Sequence, residues 1–315
     1  MRDSATLWIL ERSGRFALPR VAFDSIGETW ERPWVQLNYV QQDGQTLRVW
    51  SQEPGNIELN GQGLPAVRRA GGLRFECIEP FRRWTLDFDG RTVRSSTAQE
   101  MAGPESTAPS HLTFHVEAEM VAPPWLMGGM TAEAARQMAR GDAGALMGGV
   151  RYEQLCTVTG WIEVEGKRQP IEGTGMRVRR QGVRHMGSAM GHCQHSAVWP
   201  SGRAFGAIVM APGPEGPVVF NEAFVITPDG RKLAATVSEA PWMRQLIEQD
   251  DASLLLSTSE GDVRIMGETL LSMFDHHKFE MADTSVLHQG TARYSWDGEE
   301  TIGLIERCTL REKLT

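Results

Sequence analysis

Long apolar runs are missing: no stretch of the 315 residues approaches the ~18 consecutive apolar positions that a membrane-spanning helix needs. The opening segment, MRDSATLWILERSGR, holds only a few apolar residues between charges, so no secretory leader is expected. Cysteine is scarce. Cys77, Cys156, Cys193 and Cys308 lie far apart and form no Cys-x-x-Cys pair, which points to reduced thiols and a cytoplasmic protein. A basic excess is lacking too: 32 Lys and Arg against 40 Asp and Glu leave a net charge of −8, the wrong sign for a generic nucleic-acid or acidic-membrane binder. There is no GxxxxGKS/T phosphate loop, GxGxxG fingerprint, HExxH or GxSxG, and Gly173-Thr174-Gly175, between strands, is too short for a nucleotide loop. Heptads, solenoid repeats and low-complexity tracts are absent.

What is present is a β-protein's composition. The 33 glycines are roughly a tenth of the chain, against an average of about 7%, a surplus that suits many tight turns. Hydrophobic content of 41% supports real cores, and the length exceeds what one core usually holds, so two domains are expected. Alternation dominates. In His111–Met120, Leu112, Phe114, Val116 and Ala118 share one face. Similar runs occur at Trp34–Val40, Thr46–Trp50, Trp84–Phe88, Cys156–Gly166, Val218–Ile226, Asp262–Gly267, Ala292–Trp296 and Thr301–Leu310. Asp-Gly pairs at 43–44, 89–90, 229–230 and 297–298 predict type I′ hairpins, since both central residues of that turn need φ > 0. Helices are expected at Thr131–Arg140, with Thr131 as N-cap, and at Glu239–Glu248, with Pro241 near its start. The Gly-, Met- and Pro-rich flanks of the first helix read as a long connection packed on a barrel end, or as a flap over a pocket.

Chemistry-bearing residues concentrate between Gly173 and Gly206, where Arg177, Arg179, Arg180, Arg184, His185, His192 and His195 fall close together. If Met176–Arg180 is a strand, Arg177 and Arg179 share one face and Val178 and Arg180 the other. Two guanidiniums facing a barrel interior need anionic partners, either a protein carboxylate (Glu153 or Glu222) or the carboxylate or phosphate of a ligand; a solvated edge strand with Arg–Glu pairs is the bland alternative. On a strand His192 and His195 face opposite sides, and Asp275-His276-His277 is equally loose, so no metal is expected. A neutral imidazole at His185, His192 or His195 is a candidate proton shuttle, although a satisfied structural histidine is the commoner fate.

Four segments carry a resemblance: GRFALPRVAFDSIGETW (14–30), RYEQLCTVTGWIEVEGKRQPIEGTGMRVRRQGVR (151–184), GHCQHSAVWPSGRAFG (191–206) and ARYSWDGEETIGLIER (292–307). They look similar to the tandem lipocalin-like superfamily that includes carotenoid 1,2-hydratase (hydroxyneurosporene synthase), kievitone hydratase, AttH-like proteins and fungal lipocalin-like Diels–Alderases. The resemblance spans nearly the whole chain. It implies two consecutive lipocalin-like antiparallel β-barrels, residues 1–187 with a helical insertion near 131–140 and residues 188–315, with a hydrophobic pocket at or between them and no organic cofactor. Hydratase relatives carry Arg-Asp-His-Ser-Trp-Gly after the Gly-x-Gly turn, whereas these positions read Arg177-Val178-Arg179-Arg180-Gln181-Gly182. The Asp and His that would protonate an alkene are replaced, and arginine cannot serve as a general acid near neutral pH.

These readings lead to a cofactor-independent lyase (hydratase or dehydratase) or isomerase acting on a terpenoid, steroid or aromatic substrate. Glu153, Glu222, His185, His192 and His195 are the candidate acids and bases. Arg177, Arg179 and Arg184 would bind substrate oxygen, and Trp125, Trp199 and Trp296 would wall the pocket. An arginine-lined wall disfavours a carbocation and favours enolate-like or carboxylate-bearing substrates. A non-catalytic carrier of one apolar ligand and a pericyclic catalyst are the alternatives. No nucleic-acid partner is expected, and free sheet edges leave a homodimer open.

Overall fold

Period-two patterning builds nearly every element of the computed structural model, which describes residues 2–26, 31–103, 106, 108–140, 144, 149–183, 191–211, 216–275 and 285–314. The first twelve strands are β1 (Arg2–Glu11), β2 (Phe16–Ile26), β3 (Trp34–Gln41), β4 (Gln45–Gln52), β5 (Gly55–Leu59), β6 (Pro65–Ala70), β7 (Leu73–Glu79), β8 (Arg83–Ser96), β9 (Ala108–Met120), β10 (Trp125–Leu126), β11 (Val150–Val164) and β12 (Lys167–Gly182). They form one twelve-stranded sheet. Antiparallel pairing runs β1, β2, β3, β4, β8, β9, β11, β12 and back to β1, so eight of them close a ring. β7, β6 and β5 continue outward from the first half of β8, and β10 pairs with the start of β11.

The remaining strands are β13 (Gly191–Val198), β14 (Ala204–Ala211), β15 (Phe220–Ile226), β16 (Lys232–Glu239), β17 (Leu254–Thr258), β18 (Gly261–Asp275), β19 (Ser285–Trp296) and β20 (Glu299–Leu310), and they close an eight-stranded antiparallel barrel in sequence order. The chain is therefore mainly β, in the tandem lipocalin-like architecture. The first ring is filled by Leu7, Phe16, Phe23, Tyr39, Phe88, Phe114 and their neighbours, the second by Trp199, Phe205, Tyr294, Trp296, Leu256 and Ile265. A third apolar cluster joins Trp8, Leu10, Leu155 and Met176 on outward faces of the first ring to Ile208, Phe224, Met273 and Leu304 on outward faces of the second. This seam is why β14 (AFGAIVMA) is buried on both faces.

Turn chemistry explains most connections. Asp297 and Gly298 both have positive φ (49° and 81°) and link β19 to β20 in the expected hairpin. The pairs at 43–44 and 229–230 also fall between strands, but there only Gly44 and Gly230 have positive φ (77° and 81°), so neither is the expected type I′ turn, and Asp89-Gly90 lies within β8, where that strand passes from β7 to β4 as partner. Gly173-Thr174-Gly175 is inside β12 rather than between strands. A Cβ on Gly175 would sit 2.2 Å from the Trp8 carbonyl oxygen, so the glycines permit close approach of β1.

Helix α1 (Thr97–Ala102), capped by the Ser96 hydroxyl and by Gly103 at φ 97°, was not anticipated. Helix α2 (Ala132–Ala139) has Thr131 as its N-cap, with the hydroxyl accepting from Ala134 N. The helix expected at 239–248 does not form. Its carbonyls are taken by side chains inside the second barrel: Arg307 Nη1 donates to Pro241 O, and Ser272 Oγ and Thr269 Oγ1 donate to Glu248 O. Tertiary hydrogen bonds thus replace the helical ladder.

Arg307 is the keystone of that end of the barrel. It is 1% exposed and bidentate to Asp250, at 2.8 and 2.9 Å, and it also donates to His288 Nδ1 at 3.2 Å. Removing one member strands a buried charge, so Asp250→Asn is expected to cost about 3–5 kcal/mol in denaturant unfolding. The pair Asp250→Leu with Arg307→Met should recover much of that loss. Equal destabilisation by the single and the double variants would refute this account.

Candidate functional site

β11 alternates between two environments. Arg151, Glu153 and Leu155 point out of the first ring, while Tyr152, Gln154 and Cys156 point in. The outward residues meet the outward face of β13 and β20, where His192, Gln194, Glu306 and Cys308 project. One half of the seam is apolar and the other is a buried polar cluster. Glu153, 2% exposed, accepts through Oε1 from Arg151 Nε at 2.9 Å, from Arg151 Nη2, and from Gln194 Nε2 at 2.7 Å. Gln194 Oε1 in turn accepts from Arg151 Nη2 at 2.9 Å. Glu153 Oε2 is buried and without a hydrogen-bond partner.

Glu306 lies directly across the strand pair from Gln194. His192 Nε2 is 3.1 Å from its Oε1, Gln289 Nε2 donates to its Oε2 at 2.5 Å, and Arg20 approaches to 4.0 Å. Gln289 also accepts from Asn38 of the first ring at 2.7 Å. The two carboxyls are driven apart. Burial raises the Glu153 pKa, outweighing the attraction of Arg151 and Arg180, and the charge of Glu306 adds to the rise. Burial also pushes Glu306 upward, but its bond and charge contact with His192, with Arg20 and Gln289, outweigh it and hold the group at about 2.

The other anticipated residues are dispersed. Glu222 is fully buried and accepts from Trp125 Nε1 (3.0 Å), Gly128 N (2.7 Å) and Met130 N (2.7 Å), tying the segment after β9 onto the second barrel. Trp125 stands edge-on to Phe224 in the apolar seam. Trp199 and Trp296 pack against each other in the second barrel's core. His195 points into that barrel. Its Nδ1 is 2.7 Å from Tyr294 Oη, which donates to Leu304 O, so Nδ1 carries the proton and Nε2 is left without a partner. Arg177 and Arg179 do face the first ring's interior, where Arg179 pairs with Asp3 while Arg177 lies 3.8 Å above the Trp84 ring and donates to Tyr152 Oη at 2.8 Å. Burial lowers the Arg179 pKa to about 10. Arg184, His185, His276 and His277 lie outside the described residues.

The sequence reading did not single out Glu306, Gln194 or Arg151. The available signal was parity: in TIGLIERCTL, Glu306 alternates with Ile305 and Arg307, so it shares the face of Leu304 and Cys308, which is buried only because a second barrel covers it. Among the described residues no three His, Cys, Asp or Glu side chains gather to hold a metal.

A family model described as Domain of unknown function (DUF7064) matches residues 26–311. No curated protein matches the chain. Solved structures share the fold at low identity. A putative AttH from Nitrosomonas europaea is 13% identical with a TM-score of 0.57, covering 97% of this chain and 91% of that one. CghA, crystallised with Sch210972, is 11% identical with a TM-score of 0.61, covering 98% and 88%. Kievitone hydratase from Nectria haematococca is 8% identical with a TM-score of 0.52, covering 97% and 88%.

The buried imidazoles carry a pH consequence. Burial, with the charge of Arg307, lowers His195 from 6.5 to about 3 and lowers His288 well below 6.5. Below pH 6.5 the unfolded chain takes up protons that the folded chain refuses, so stability present above 6.5 is lost as the pH falls. Each histidine should contribute about 1.4 kcal/mol per pH unit to that loss. In unfolding titrations between pH 6.5 and 5, His195→Asn should flatten the slope by roughly one proton's worth. Parallel curves for His195→Asn and wild type would show that the imidazole titrates alike in both states.

Proposed function

The chain belongs to the family described as Domain of unknown function (DUF7064), and from the seam chemistry we propose that it is a cofactor-independent lyase or isomerase. It would move protons to and from carbon in a hydrophobic terpenoid, steroid or aromatic molecule with an oxygenated end. The observation that carries this reading is the pair of seam carboxyls with opposed acidities, both touching the Gln194 segment. Environments that push two neighbouring carboxyls apart leave one able to exchange a proton and the other a fixed charge. Glu153, with a raised pKa and a free Oε2, is the group that gives or takes the proton. Arg151 and Gln194 hold its other oxygen and fix its direction. Glu306 stays ionised and keeps His192 oriented.

Two steps follow, and both balance. In an isomerisation, Glu153 as carboxylate takes a proton from the carbon beside a carbonyl. The electron pair moves to the carbonyl oxygen, and the same proton returns at the far end of the shifted double bond. In a hydration, Glu153 as acid protonates an alkene carbon conjugated to a carbonyl, water bonds to the neighbouring carbon, and the surplus proton of that water restores Glu153. The reading accords with a hydratase among the proteins that share this fold.

Carbon deuteration tests it. Wild type and Glu153→Gln are incubated in D2O with a panel of enones, sterols and prenylated phenols, while native mass spectrometry records which compounds bind. Wild type should place deuterium on carbon, or add D2O, in at least one bound compound. Glu153→Gln should bind it comparably and react 10²–10⁴-fold more slowly, the span of one general acid–base group. Binding without deuteration would make the protein a carrier, and an undiminished Glu153→Gln would remove Glu153 from the chemistry.

A further inference from the structure

The inward faces of β11 and β12 gather charge that the seam does not use. Arg177 and Arg179 lie at the end of the first ring where β10 meets the start of β11, and Arg68 joins Arg179 on Asp3, the carboxylate that the two share. Arg68 Nη2 donates to Asp3 at 2.6 Å and Arg179 pairs with the same group. Arg177, 3% exposed, forms no ion pair with any carboxylate among the described residues, and its Nε is buried without a partner. Its known contacts are neutral: Tyr152 Oη at 2.8 Å, the Trp84 ring at 3.8 Å and the Tyr152 ring at 5.4 Å. Ring faces offset part of a desolvated positive charge but do not fill five N–H donors.

A second observation concerns the rim. Phe81, Leu126 and Val150 are each half exposed or more, at 50%, 52% and 62%. All three adjoin Tyr152. Phe81 lies 5.6 Å from its ring, Leu126 is its cross-strand neighbour, and Val150 is two residues away on the same strand face. Arg68 also borders a cavity of about 40 Å³ with Phe23, Ser25 and Pro33, room for water but not for a polycyclic body. An apolar rim beside a buried cation lacking its anion is complementary to an amphipathic anion.

We propose that this end of the first barrel binds a medium-chain carboxylate, its head on Arg177 and its chain along Phe81, Leu126 and Val150. The inference goes beyond the proton-transfer reading and stands without it, because Glu153 occupies the opposite face of β11. Trp84 and Tyr152 are half-buried, and the head group enters by displacing the Trp84 ring from the guanidinium.

Calorimetric titration of the full chain with decanoate, decanol and inorganic phosphate tests the proposal. Decanoate should bind one per chain, with decanol and phosphate each at least tenfold weaker. Arg177→Met should weaken decanoate at least tenfold while leaving the unliganded Tm unchanged or raised, since it removes a buried charge without its anion. Glu153→Gln should bind decanoate as wild type does, which separates this proposal from the preceding one. Equal binding of decanol, equal binding of phosphate, or an Arg177→Met variant that binds decanoate normally would each overturn it. If Arg177→Met fails to fold, the decanoate–decanol difference on wild type decides alone.

Discussion

Burial of outward strand faces between the two barrels is the constraint on which the rest depends. A lone antiparallel barrel keeps its outer face in water. Here Trp8, Leu10, Met176, Ile208, Phe224 and Leu304 all point outward and are all buried. Each such side chain contributes about 1.5–3 kcal/mol relative to exposure, and the same geometry forces polar neighbours in the seam out of water. Asp24, Asn38, Glu153 and Gln194 are buried for this reason, and each must find a partner within the seam.

How completely those partners are found differs from one buried group to the next. Glu222 has both oxygens occupied by three N–H donors, and Arg307 spends its guanidinium on Asp250, His288 and Pro241. Such saturated groups fix chain segments: the first anchors the approach to α2, the second closes the end of the second barrel. Glu153 Oε2 and Arg177 Nε, like His195 Nε2, belong to well-held side chains yet have capacity left over. An unmade bond at a buried position costs about 1–3 kcal/mol, so it persists where something else completes it.

Legibility in the sequence followed the same division. Strands with one wet face announced themselves, as in His111–Met120, and so did the shared face of Arg177 and Arg179, although not which side of the sheet it is. Strand β14 gave no alternation because both its faces are covered, and no single-strand pattern reveals a second barrel. The 239–248 segment carried a helix signature, but Arg307, Thr269 and Ser272 come from strands up to 66 residues away and claim its carbonyls. Asp89-Gly90 had a hairpin's residues in a strand that simply changes partner. The departure from the hydratase pattern at 177–182 was legible, whereas the carboxyl pair of the seam joins residues 153 and 306 and is a product of packing alone.

The Arg177-Val178-Arg179-Arg180 run shows how one strand serves both environments. Side chains on a strand alternate, so Arg177 and Arg179 enter the first ring while Val178 and Arg180 enter the seam. Val178 extends the apolar half of the seam, and Arg180 is close enough to Glu153 to oppose the rise that burial imposes on its carboxyl. A register slip of one residue would bury Val178 among the inward arginines' neighbours and put two guanidiniums against Met176's apolar partners. Pairing of β12 with β1 runs from Arg2↔Gly182 to Glu11↔Gly173 without a bulge, in the register that avoids such a slip. The glycines at 173 and 175 allow the close approach that this unbroken pairing needs, since a side chain there would strike the carbonyls of Leu10 and Trp8. The Gly-x-Gly stretch inside β12 therefore permits the close pairing with β1 in this register, which decides which side chains of β12 enter the ring and which enter the seam.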